Sequence, residues 1–200
     1  FNIKTIALTA KSATYTGNPI PANTATVTLQ NSENYSGSIT YKYYTNSACS
    51  ENETTTAPTN AGQYYVKASI AAFTNYNAAA SSCVSHKINQ ATDTITITKK
   101  TATYSGNGVA ATASATSGLT PSLTYYSDST CSTETTTTNA TSAGGTPKNV
   151  GTYYATATTA GNNNYSEGSK SCTVAVEISK YTPTPRMPTE RMITSRLQAA

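Results

Sequence analysis

The sequence predicts an all-β chain of two tandem β-sandwich domains, each stapled by one disulfide, followed by a proline-containing C-terminal tail. Three observations carry this expectation. One motif-rich segment occurs twice, the apolar residues alternate at period two, and the four cysteines divide evenly between the two copies.

The repeat comes first, because self-similarity at a fixed period governs how everything else is read. Ala13-Thr14-Tyr15-Thr16-Gly17-Asn18 returns as Ala102-Thr103-Tyr104-Ser105-Gly106-Asn107, 89 positions on. At the same offset Asn60-Ala61-Gly62 returns as Asn149-Val150-Gly151, Asn75-Tyr76 as Asn164-Tyr165, and Ser82-Cys83 as Ser171-Cys172. Between them the offset slips to 82, at Cys49 and Cys131. The second copy therefore has a shorter segment before its first cysteine and a longer loop after it, and such compensating changes belong in loops. A period of this length exceeds a helical solenoid unit and suits a small sandwich. The boundaries that follow are 1–89 for the first repeat, 90–179 for the second and 180–200 for a tail.

Local pattern agrees. Ile6-Ala7-Leu8, Ile39-Thr40-Tyr41-Lys42-Tyr43, Tyr64-Tyr65-Val66-Lys67-Ala68 and Ile95-Thr96-Ile97 all alternate at period two. Threonine and tyrosine fit a pleated, half-buried surface. Gly17-Asn18 and Gly106-Asn107 supply turn chemistry. No stretch keeps a helical period before residue 185. In the tail, Pro183, Pro185 and Pro188 argue for an extended linker, and Thr189 is placed to cap a short helix that would be marginal alone.

Two domains of this size bury only modest cores, and the cysteines offer a remedy. Matched placement argues for Cys49–Cys83 and Cys131–Cys172, one bridge within each repeat. Each closed loop is worth roughly 3–4 kcal/mol in the chain-entropy account. No two cysteines are close and there is one histidine, so no metal site is expected. Paired disulfides place the chain outside the cytosol, in the extracellular space or at a cell surface. No apolar run is long enough to span a membrane and no signal peptide is present; Phe1 falls mid-pattern and reads as a mature or excised start. The net charge of +4 is concentrated in the tail, where Lys180, Arg186, Arg191 and Arg196 face only Glu190. The near-neutral repeats leave no basic face for nucleic acid.

Asn60-Ala61-Gly62-Gln63-Tyr64-Tyr65-Val66 and Asn149-Val150-Gly151-Thr152-Tyr153-Tyr154-Ala155 resemble the sixth-strand signature of immunoglobulin-like domains. There, a tyrosine hydroxyl caps the strand corner. The resemblance assigns that structural corner to Tyr64 and Tyr153. The antibody-type cysteine two residues on is absent, with Val66 and Ala155 in its place, so the disulfides run elsewhere, through Cys83 and Cys172 on the last strand. The whole of 5–178 resembles the tandem bacterial immunoglobulin-like repeats of large cell-surface proteins, of the MBG and adhesin type. The shared features are A-T-Y-[ST]-G-N, Y-Y-x-[DN]-S-x-C, a Thr-rich loop, N-x-G-x-Y-Y and N-Y-[NS], in that order, twice. The join Ile88-Asn89-Gln90-Ala91-Thr92-Asp93 corresponds to Ile178-Ser179-Lys180-Tyr181-Thr182-Pro183, so residue 182 resembles the start of a third repeat.

The resemblance implies a stalk or spacer in an adhesin or surface filament. Its partners would be neighbouring repeats or copies of itself in a head-to-tail polymer. The alternative is an adhesive module recognising glycan or host protein through the outward members of the Tyr43-Tyr44 and Tyr125-Tyr126 pairs, with Tyr44 and Tyr126 as the binding candidates, and through the cysteine-tethered loops. Tyr15/Tyr104, Tyr64/Tyr153 and Tyr76/Tyr165 read as core or corner residues. Neither catalysis, cofactor nor membrane insertion is expected. His86 is alone, its counterpart by offset being Ala175, and reads as a strand-face residue; Glu51, Glu53 and Glu134 lie in polar loops without a paired acid.

Overall fold

The computed structural model describes residues 3–30, 35–73, 76–135 and 145–184. Among these residues the chain is all-β, with no helix. The first repeat forms β1 (Ile3–Ala7), β2 (Lys11–Thr14), β3 (Thr26–Leu29), β4 (Thr40–Tyr44), β5 (Gly62–Ile70), β6 (Ala79–Ala80) and β7 (Val84–Asn89). The second forms β8 (Ile95–Thr98), β9 (Lys100–Thr103), β10 (Thr112–Ala115), β11 (Ser122–Tyr126), β12 (Gly151–Thr159) and β13 (Gly168–Ser179).

The two repeats share one topology. The larger sheet runs β2-β7-β5-β4 in the first, with β6 also paired to β5, and β9-β13-β12-β11 in the second. In each, the early strand lies parallel to the last one, β2 on β7 and β9 on β13, while the other pairs are antiparallel. Among the described residues the smaller sheet has two strands, β1 with β3 and β8 with β10. Among the described residues these ladders close within 3–89 or within 95–179, and an isolated bridge pairs Ala91, in the segment between them, with Tyr165.

Period-two alternation becomes burial where β5 and β12 cross the core. Val66, Ala68 and Ile70 point inward from β5, as do Ala155, Ala157 and Thr159 from β12. Leu8 and Ala25 from the smaller-sheet side meet Tyr43, Val66 and Ala68 from the larger, so the sheets pack in a sandwich-like arrangement. In the second repeat the core gathers Ala111, Tyr125, Tyr153, Ala155, Ala175, Val176 and Ile178. It is rich in alanine, and burial at about 25 cal/mol per Å² of apolar area gives little per alanine. Tyrosines and the disulfide carry correspondingly more.

Three details correct the sequence reading. The Asn-x-Gly-x-Tyr-Tyr strand is the fifth in its repeat, because residues 45–61 form a loop with one isolated bridge, Tyr43 to Thr54, in place of a further strand. Cys83 stands one residue before β7, whereas Cys172 lies within β13. The register also displaces the counterpart of His86: Tyr64 pairs with His86 but Tyr153 pairs with Val176, and Ala175 is the extra residue of a bulge.

Two buried polar groups separate the repeats chemically. His86 is fully buried, edge-on to Tyr43 with ring centroids 5.5 Å apart. Neither ring nitrogen completes a hydrogen bond of good geometry. Burial pushes its pKa below 6.5; the Ile20 backbone pulls it part-way back and the Lys11 charge lowers it further. Asp93, 2% exposed, sits where the second repeat begins. Its carboxylate accepts from Thr159 Oγ1 at 2.6 Å, Ser117 Oγ at 2.7 Å, the Ser117 amide at 2.9 Å and Thr116 Oγ1 at 3.0 Å. Burial pushes this carboxyl up, but the Thr159 and Ser117 donors, with Thr116, outweigh it and hold it at about 2.

These shifts set different acid limits. The unfolded chain protonates His86 at a higher pH than the folded one, so stability in the first repeat falls as pH drops through 6.5. Asp93 contributes fully above its ordinary 3.8, and that contribution is lost as pH falls towards about 2. Hydrogen exchange along the chain should therefore show the first repeat softening from about pH 6.5 and the second only below about pH 4. His86→Leu should remove the first change, and Asp93→Asn should make the second shallower. Equal softening of both repeats would contradict the assignment.

Candidate functional site

The segments most charged with motif are the two cysteine-tethered loops and the tyrosines around them. Each loop leaves its strand through a turn held by an Asn or Asp side chain. In the first repeat Asn46 Oδ1 accepts from the Ser50 amide at 3.0 Å, its Nδ2 donates to Ser50 Oγ at 2.9 Å, and its carbonyl accepts from the Cys49 amide. In the second, Asp128 takes the same place. It accepts from the Thr130 hydroxyl and from the amides of Thr130 (3.0 Å), Ser132 (3.1 Å) and Thr133 (2.7 Å). The Thr130 hydroxyl and the Ser132 amide lead in holding the Asp128 carboxyl well below the usual carboxylate range. These turns place Cys49 and Cys131 at φ 52° in both loops. That left-handed conformation is uncommon for a residue other than glycine, and the Asx bonds offset its cost. So oriented, Cys49 bonds to Cys83 and Cys131 to Cys172, across 34 and 41 residues, with Cα atoms 5.9 and 5.7 Å apart.

Two pairs of tyrosines take distinct structural roles. Tyr43 and Tyr125 are buried, and their hydroxyls accept the amides of Ala22 and Ala111, each at 2.9 Å. Each bond ties β4 or β11 to the crossing segment that leads into the smaller sheet. Burial pushes both phenols above 10, with the Ala22 and Ala111 amides pulling them part-way back. Tyr64 and Tyr153 form the corners: each hydroxyl donates to the carbonyl four residues earlier, Asn60 or Asn149, at 3.1 Å. A Cβ on Gly62 would press within 3.3 Å of the Tyr64 ring, and Gly151 holds φ 156°, a backbone that favours glycine. Tyr153 is buried as expected of a corner, whereas Tyr64 is only half-buried.

The binding candidates fare differently from the sequence expectation. Tyr44 is buried along with Tyr43, so this pair does not divide into inward and outward members. The Tyr44 hydroxyl donates to Glu53 at 2.9 Å, and Glu53 pairs with Lys42 at 2.6 Å. Tyr126 is half-buried, with its hydroxyl 3.5 Å from Thr156 Oγ1. A shallow depression of about 340 Å³ lies beside the first loop, bounded by Tyr44, Asn52, Thr56, Pro58 and Tyr64. Among the described residues no cluster of three or more His, Cys, Asp or Glu side chains is arranged to hold a metal. The Thr-rich residues 136–140 of the second loop lie outside the described residues.

One arrangement the sequence reading missed is the joint between repeats. The β12–β13 turn, Gly161-Asn162-Asn163-Asn164-Tyr165-Ser166, reaches back onto the first repeat. Asn164 Oδ1 accepts the Ala61 amide at 2.8 Å, and its Nδ2 donates to Asn60 Oδ1 at 3.1 Å. Gln90 Nε2 donates to the Asn162 carbonyl at 2.7 Å. The Ala91 amide donates to the Asn164 carbonyl, and the Ser166 amide to the Ala91 carbonyl, both at 2.9 Å. The Tyr15 and Tyr165 rings meet edge-on at 5.5 Å. Tyr15 and Tyr165 are therefore joint residues rather than core residues. The echo of Asn75-Tyr76 in Asn164-Tyr165 was the available signal, but nothing in it tells which surface the turn meets.

No protein-family model matches this chain, and no curated protein matches it significantly.

The two tyrosine roles differ in what their loss leaves behind. Tyr153→Phe gives up one hydrogen bond whose acceptor lies near solvent, and should cost about 0.5–1.5 kcal/mol. Tyr125→Phe strands the buried Ala111 amide and should cost about 1–3 kcal/mol. Urea denaturation of both variants checks the order, and an equal or reversed cost would break the distinction.

Proposed function

We propose that the chain is a structural spacer, part of the stalk of an extracellular bacterial adhesin or surface filament, built from two tandem immunoglobulin-like domains with boundaries near residue 89 and residue 179. The single observation that carries this reading is the joint: side-chain and backbone hydrogen bonds and a ring contact hold two stapled sandwiches end to end. A spacer needs little else. It must keep its length, survive outside the cell and present few reactive groups. Two disulfides favour an oxidising compartment, and among the described residues no helix is long and apolar enough to cross a membrane.

The adhesive reading draws on the depression beside the first loop. It carries less, because Tyr44 is buried and its hydroxyl is committed to Glu53. Residues 180–184 form no strand, so the resemblance of residue 182 to a third repeat's start finds no ladder there; residues 185–200, with the helix capped by Thr189, lie outside the described residues.

Single-molecule extension of the full chain tests the spacer. The bridges span 34 and 41 residues. At about 3.5 Å per extended residue, they should withhold about 120 Å and about 140 Å of contour length until a reductant is added. A glycan array and a host-protein panel run alongside. Selective binding that is lost in Tyr126→Ala would replace the spacer reading with the adhesive one.

A further inference from the structure

The joint uses one end of the first repeat, and the second repeat has the same end. Tyr104 corresponds to Tyr15, Val150 to Ala61, and Lys180-Tyr181 to Gln90-Ala91. The fold gathers these residues at the end of β13. The Tyr104 amide donates to the Ser179 carbonyl at 2.8 Å, and Gly151, next to Val150, pairs with Ile178. In the first repeat Tyr15, Ala61 and Ala91 are half-buried beneath the Asn-Tyr turn. In the second, Tyr104 is 44% exposed, Val150 43% and Tyr181 67%. Among the described residues only one other large apolar side chain is comparably exposed, Leu119, so three of the four lie at this one end. Such clustering marks an interaction surface rather than scattered surface residues.

We propose that this end is a second socket of the same kind, taking the Asn-Asn-Tyr turn of a further repeat of this type. The proposal rests on the spacer reading and names its partner. The substitutions between the two ends keep the chemistry. The first socket uses the Ala61 amide, and Val150 offers the same backbone donor. Gln90 donates to carbonyls of the turn, and the Lys180 ammonium is also a donor, with the reach to find them. Ala91 acts through its backbone N–H and C=O, which Tyr181 also has, and the added ring covers apolar surface beside Tyr104.

The occupied joint can be given the open end's residues within the full chain, by Ala61→Val, Gln90→Lys and Ala91→Tyr together. Hydrogen exchange at residues 61, 91 and 164–166 is compared with wild type and with Asn164→Ala/Tyr165→Ala, which sets the value for an opened joint. The triple variant should keep its protection within about tenfold of wild type. Protection in wild type but exchange at the opened value in the triple variant would sink the socket alone. Exchange at the opened value in wild type itself would sink the spacer reading, and the socket with it.

Discussion

Among the described residues, each repeat closes a sandwich whose smaller sheet has two strands. The rest of the structure follows from that constraint. Where a third strand would satisfy backbone groups by ladder hydrogen bonds, here the chain crosses as loop, and buried backbone donors must find partners elsewhere. The Tyr43 and Tyr125 hydroxyls take the Ala22 and Ala111 amides, and the Tyr41 hydroxyl takes the Ala25 amide at 2.8 Å. Ile20 and Val109 donate to the carbonyls of Pro58 and Pro147, joining the same crossing to the loop after the cysteine. These three tyrosine hydroxyls thus stand in for hydrogen bonds that a further strand would supply.

The same constraint explains why the loop after β4 is stapled. A long polar segment with one isolated bridge gains little from burial and would sample many conformations. The turn at Asn46 or Asp128 fixes the cysteine's backbone, and the disulfide fixes the loop to the far strand. Asn and Asp serve equally because the turn asks only for a side-chain oxygen two to five residues ahead of the amides it accepts. The repeat therefore preserves [DN]-S-x-C while changing the loop length beyond it.

Much of this was legible in the sequence. Period-two alternation exposed the all-β character, and the matched cysteines exposed the two disulfides, because each rests on a local pattern or on copy number. Three things were not. The absent strand after β4 could not be seen, since a Thr-rich stretch suits strand and loop alike. The burial of both Tyr43 and Tyr44 defied alternation; the Tyr44 hydroxyl is bonded to Glu53, which also pairs with Lys42. The joint joins residues about a hundred positions apart through asparagine amides, and no periodicity reports such a contact.

The two repeats are equivalent in topology but not in how they close. Ile70 ends β5 within a small apolar cluster that includes Val27 and Leu29. Thr159, 89 positions on, ends β12 with its hydroxyl on Asp93, the residue that begins the second repeat beside the joint. A buried carboxylate with four donors is costly to disturb, because removing any donor leaves part of the charge unpaired. It also sets direction. Asp93 ties the chain entering the second repeat to the strand leading into the Asn164 turn, and that turn returns to grip Asn60 and Ala61. The polar closure and the joint are connected by the short stretch of backbone from Thr159 to Asn164. An apolar residue at position 159 would fill the core as Ile70 does, but it would release that turn from the residue that anchors its entry.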